Sequence, residues 1–179
     1  MTKVNVTLGI DLPSFLLNQI NQARSEAFGD LVLTNEDIKD SIVFTVEDQG
    51  KLLATGRLFP INGVSFDGRD YSVLGINGIV SLEKGKGYGK AIVMEMMNYL
   101  RDHHKTGVGF CIPENRIFYE KCGMGIDTAS VRQFVFPLEY GQSSLNDSDI
   151  VIYCEGEDKL ISKMINNPLE KAFFPCHPW

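Results

Sequence analysis

Residues 82–92 run Leu-Glu-Lys-Gly-Lys-Gly-Tyr-Gly-Lys-Ala-Ile, with Gly85, Gly87 and Gly89 alternating with Lys84, Lys86, Tyr88 and Lys90. Glycines let a backbone approach a ligand closely and take positive φ. The loop follows an apolar run, 71–82, and opens a helical pattern that continues to about residue 104. At a helix start the unpaired N–H groups and the dipole favour an anion, and the lysines add charge of the same sign. The chemistry that suits this arrangement is the holding of a phosphorylated cofactor.

Two nucleotide fingerprints fail here on single residues. A P-loop needs Gly where Lys84 stands and a hydroxyl where Ala91 stands, and the dinucleotide motif G-x-G-x-x-G, begun at Gly85 and Gly87, meets Lys90 instead of its last glycine. The pattern [QR]-x-x-G-x-[GA] fits, with Lys84 in place of the leading Gln or Arg, then Gly87 and Gly89. On these residues the chain resembles the GNAT superfamily of acyl-CoA-dependent N-acetyltransferases. The resemblance implies acetyl-CoA as cofactor, its pyrophosphate on the backbone N–H groups of Lys84, Gly85, Lys86, Gly87, Tyr88, Gly89 and Lys90. It also implies a splayed strand pair around the pantetheine arm, with backbone groups of Ile79, Val80 and Ser81 along that arm. Ser81 stands where many relatives carry Pro.

A second segment, Phe118-Tyr119-Glu120-Lys121-Cys122-Gly123-Met124, is similar to the family's F-Y-E-K-x-G-[FW]. It implies that Tyr119 is the general acid protonating the departing thiolate. The Asn that many relatives place seven residues earlier is Ile112 here, and the nearest Asn is Asn115. The base is not at its usual place. The family's strand positions fall on Val73, Gly75 or, with a shorter loop, Asn77, and none is a carboxylate. Asn77 acting through a water relay, Asp67, Asp70, Glu47 and the terminal carboxylate are the alternatives. Cys111 reads as a buried strand thiol rather than an acyl carrier. Loosely, Gly75-Ile76-Asn77-Gly78-Ile79 and the final Trp179 resemble the aminoglycoside 2′-N-acetyltransferases. Gly56-Arg57-Leu58-Phe59-Pro60 is similar to a segment of acyl-homoserine-lactone synthases, and the missing carboxylate leaves room for a non-catalytic acyl-CoA sensor.

The whole chain sets bounds on these readings. Its 179 residues, 44% hydrophobic, suit a single domain over 1–179. A net charge of −6 argues against a nucleic-acid partner. Residues 26–48 hold seven acids against Lys39 alone, which is either a solvated face or a surface for a small cationic amine acceptor. Cys111, Cys122, Cys154 and Cys176 lack metal-ligand spacing, as do the three histidines, so no metal site is expected and reduced thiols in the cytoplasm are. No apolar run is long enough for a membrane span, and no secretory signal is visible. The sequence leaves a homodimer open.

The elements that must position these residues follow from periodicity. Strands are expected at 4–8, 41–46, 52–59, 71–82, 108–112, 131–138 and 150–154. Asp11 can cap a helix from Pro13 to Gly29 with Phe15, Leu16, Ile20, Ala23 and Ala27 inward. Further helices are expected after Thr34, from Tyr88 with Ile92, Val93, Met96, Met97 and Leu100 inward, at 115–122 and at 160–165. Residues 48–50 read as a hairpin turn, and 61–69 and 141–149 as loops. Gly75 and Gly78 permit a bulge in their strand. This order predicts an α/β (α+β) fold with a central, mostly antiparallel mixed sheet and helices on both faces. It is the order expected of the GNAT fold. The motifs cover about 71–124, and the element order covers most of the chain.

Overall fold

The computed structural model describes residues 2–29, 32–137 and 145–177. They divide into two compact units, Met1–Phe59 with Asn77–Met96 and Pro60–Ile76 with Met97–Trp179. The elements in order are β1 (Asn5–Leu8), α1 (Ser14–Phe28), α2 (Asn35–Ile38), β2 (Ile42–Asp48), β3 (Lys51–Phe66), β4 (Arg69–Ser81) and α3 (Tyr88–Asp102). Then come β5 (Gly107–Cys111), α4 (Arg116–Cys122), β6 (Gly125–Asp127), β7 (Phe134–Val135), β8 (Ile150–Cys154), α5 (Leu160–Asn166) and β9 (Ala172–Phe173). The strands form a mixed, mostly antiparallel sheet.

In the first unit β1 pairs antiparallel with β2, and β2 with the first part of β3. The turn after Asp48 is made by Gln49 and Gly50, both at positive φ, which suits a tight hairpin. The core is the inner face of α1 (Leu16, Leu17, Ile20, Ala23) against Ile38, Val43, Leu52 and Val80. α2 starts at a complete capping box: the Thr34 hydroxyl accepts from the Asp37 N–H, and the Asp37 carboxylate accepts from the Thr34 N–H.

In the second unit β5 pairs parallel with β4 at Leu74 and Gly75, and antiparallel with β8, which also pairs with β6. β7 pairs parallel with β9, and β9 antiparallel with β3 at Ser65. The Gln133 amide donates to the carbonyls of Met164, Asn167 and Glu170, tying α5 and the chain beyond it to this unit.

Several expectations are corrected. Residues 61–69 are not a loop: β3 continues through them to a two-residue turn, Asp67-Gly68, again with both residues at positive φ. Ile61, Val64 and Phe66 are buried along the added stretch, so burial favours a strand despite the polar residues between them. Residues 131–135 hold a 3-10 turn and two strand residues, because Val131 and Gln133 bury their side chains from a helical turn; Leu138 lies outside the described residues. β6 and β9 are additional. Asp11 makes no cap; α1 begins after Pro13, whose fixed φ suits that place. The inner face of α1 is also rotated. Phe15 and Ala27 are exposed, while Leu17 and Arg24 are buried.

Candidate functional site

The glycine loop belongs to the first unit. Gly85 and Gly87 have φ of 77° and 81°, and a Cβ at either would meet nothing within 4 Å. Their backbone conformation therefore requires glycine, while the space beside them is open. The Ala91 N–H donates to the Gly87 carbonyl at 2.9 Å, closing the first turn of α3. The N–H groups of Tyr88, Gly89 and Lys90 precede that bond and have no carbonyl within the helix. Lys84, Lys86 and Lys90 are exposed and form no ion pair among the described residues. The loop thus has the unspent donors, dipole and charge needed for a phosphate group.

The strand before the loop carries Asn77, Ile79, Val80 and Ser81. Val80 points into the core of the unit; Asn77, Ile79 and Ser81 are half-buried. The Ser81 hydroxyl donates to the Glu83 carbonyl at 3.1 Å and holds the chain where it leaves the strand. Gly78 has φ of 65°, in the left-handed region that favours glycine. A Cβ there would lie 2.2 Å from Nη1 of Arg24. Gly78 therefore serves two ends, the left-handed backbone and the space for a guanidinium.

Arg24 was not foreseen as part of the site. It is only 3% exposed, and its Nη1 donates to Oδ1 of Asn77 at 3.4 Å. Its spacing was a readable signal, since Leu17, Ile20 and Arg24 fall on one helix face. Arg57, half-buried on β3, donates through Nη1 to the Asp37 carbonyl at 3.3 Å and lies over the Phe59 ring. Both arginines line one narrow cavity with Ile20, Val43, Thr55 and Gly78. Burial lowers the Arg24 pKa. Burial, then the charge of Arg24, pushes Arg57 down to about 10, with Asp37 opposing.

Tyr119 lies on α4 in the second unit and is 8% exposed. Burial, then Cys111 and Cys122, holds its phenol well above the ordinary value, so it keeps its proton at neutral pH. The Cys111 thiol is pushed up to about 11, first by burial and then by Asp149, which suits a core residue rather than a nucleophile.

The alternatives for a base are placed as follows. Glu47 accepts from Asn5 and from the Thr45 hydroxyl. Asp67 sits in the β3–β4 turn. Asp70 lines a cavity of about 380 Å³ in the second unit with Tyr71, His104, Glu157 and Lys163. The terminal carboxylate and Trp179 lie outside the described residues, as does Asp30 of the acid-rich segment. Within that segment Glu36 pairs with Lys39, and Asp37 is held in the α2 cap. No group of three or more metal-ligating side chains occurs among the described residues.

Residues 14–124 match the family model described as the Acetyltransferase (GNAT) family. No curated protein matches the chain. Among solved structures it is similar to an acyl-CoA N-acyltransferase from Pseudomonas aeruginosa (16% identity, TM-score 0.57, 84% of this chain and 97% of that one). It is also similar to ElaA from Escherichia coli (14%, 0.60, 87% and 100%). A third likeness is to YlbP, an N-acetyltransferase from Bacillus subtilis crystallised with coenzyme A (16%, 0.52, 88% and 98%). At these identities the structural likeness shows the fold alone.

Proposed function

Because the chain belongs to the GNAT acetyltransferase family, which uses acetyl-CoA, we propose that it moves the acetyl group to a primary amine of a small molecule by direct transfer. The observation that carries this reading is the loop itself: two glycines at positive φ beside open space, three exposed lysines and the start of a fifteen-residue helix. Acetyl-CoA would supply an activated acyl thioester. Residues 84–90 would hold its pyrophosphate, and the backbone of Ile79, Val80 and Ser81 its pantetheine arm.

The acceptor arrives as an ammonium ion and must lose a proton before its nitrogen attacks the acyl carbon. The C–N bond then forms as the C–S bond breaks, and the thiolate takes a proton. Tyr119 is assigned that second proton by the family motif; its phenol is neutral at pH 7, and burial makes it a weaker acid than a free tyrosine. Asn77 is assigned the orientation of a water that carries away the first. Its carboxamide cannot itself be the base; its oxygen accepts from Arg24 at 3.4 Å. The comparisons add nothing for an aminoglycoside acceptor. A cytoplasmic location is supported by four cysteines without a disulfide, and no described helix is long and apolar enough to cross a membrane.

A second reading, an acyl-CoA sensor without turnover, is favoured by the absence of a carboxylate at 73, 75 and 77. One pair of measurements separates the two. Acetyl-CoA should raise the Tm, by about 2.7 kcal/mol of linkage at a hundred times Kd, and an amine panel should release free thiol. Stabilisation without thiol release supports the sensor, and no stabilisation by any acyl-CoA removes both.

A further inference from the structure

Arg24 and Arg57 are two cations in one narrow cavity, and no carboxylate among the described residues forms an ion pair with either. Each has a buried Nε without a hydrogen-bond partner. The contacts they do make are weak ones: Nη1 to Asn77 at 3.4 Å for Arg24, Nη1 to a carbonyl at 3.3 Å for Arg57, and the ring faces of Phe28 and Phe59. A guanidinium carries five donors in a planar fork, and a buried cation is costly without an anion to meet it. The position is also built. Gly78 is the residue type that leaves room for the Arg24 head group, since a Cβ there would collide with it.

We propose that the acceptor amine carries a carboxylate, bound between Arg24 and Arg57 beside Asn77 and Gly78. The proposal rests on the acetyl-transfer reading above and names the class of its acceptor, small amino acids. Three features select this ligand. Paired guanidinium forks match a carboxylate in both charge and shape. The cavity is about 10 Å³, close to the room of a single water, so it takes at most the planar head of a small group. The place adjoins Asn77 and Gly78, which directly precede Ile79 along β4, so an amine a few bonds from the carboxylate reaches the strand segment assigned to the acyl end. The acid-rich segment, with Glu36 and Asp37 already engaged, offers the acceptor less than this pair does.

The test uses the whole chain saturated with coenzyme A. Calorimetric titration compares glycine, β-alanine and γ-aminobutyrate with their carboxamides. At least one acid is expected to bind tenfold or more tightly than its amide, with the preference falling below twofold in Arg57→Gln and coenzyme A affinity unchanged within twofold. Arg24→Met, which keeps the bulk and removes the buried charge, should abolish the preference and raise the Tm of the free protein. A merely structural arginine would lower the Tm on that change. The proposal is overturned if acids and amides bind alike, if no acid binds, or if the preference survives both substitutions. Should coenzyme A itself fail to bind, acetate serves as the probe. An acetate-induced Tm rise that Arg57→Gln removes keeps the anion site while the acetyl-transfer reading falls; no such rise removes the site too.

Discussion

At the scale of single residues, Tyr119 and Arg24 illustrate opposite uses of burial. Burial raises the Tyr119 pKa and so extends the neutral phenol beyond the ordinary tyrosine range, at the cost of acid strength. Tyr119→Phe should lower kcat by about 100-fold, the low end for general acid catalysis, and leave the KM for acetyl-CoA within twofold in steady-state assays. The same shift has a consequence for stability. A pKa raised in the folded state means that stability is whole below the ordinary tyrosine value and is lost as pH rises through and above it. Cys111, raised from 9.0 to about 11, acts with the same sign and opens the window at lower pH. The Tm should therefore be flat from pH 7 to about 8 and fall beyond, and Tyr119→Phe should make the fall above pH 10 shallower. Arg24 is a charge held where water is scarce, which a sequence rarely advertises. Its spacing from Leu17 and Ile20 was visible, but an arginine at a core position reads as a boundary residue until its surroundings are known.

At the scale of elements, local chemistry decided what could be read. The glycine loop, the α3 stripe and the Thr34 cap each rest on residues within one or two turns of each other, and the structure has all three. What was not legible depends on partners far away in sequence. β9 exists because two residues near 172 meet β7 and β3, and no periodicity can be seen in two residues. The extension of β3 to Phe66 was legible in principle, for Asp67-Gly68 is a strong hairpin signal. Asn62, Gly63 and Ser65 masked it. Gly68, at φ 68°, tests the turn: Gly68→Ala should cost about 1 kcal/mol in urea unfolding, through backbone strain, with no loss of acetyl-CoA affinity. Gly87→Val places a β-branched residue at φ 81°, so the free protein should lose stability through the same backbone strain despite the open space. The Tm rise given by acetyl-CoA should be lost as well.

At the scale of the whole molecule, family membership and fold agree, and the acceptor is set by the chain's own residues. The family pattern supplied the loop and Tyr119; it offered nothing for Arg24, Arg57 or Asn77 acting together. Function in such folds is carried by side chains grafted onto a shared frame. The two compact units are interleaved along the chain, because residues 60–76 interrupt the first and 77–96 interrupt the second. Limited proteolysis within 67–70 should therefore abolish both the acetyl-CoA and the carboxylate response, since it severs the first unit between its early strands and its cofactor loop.

That interleaving also bears on how the protein comes into being. A ribosome delivers the arginines first, then a stretch belonging to the other unit, and only afterwards the strand and glycines that accompany them. Until residue 96 has emerged, the nascent chain holds Arg24 on a helix whose core partner Val80 is not yet in place. Assembly of the first unit is thus post-poned to the synthesis of more than half the polypeptide, and a stalled or truncated product would be a substrate for quality control rather than a smaller working enzyme.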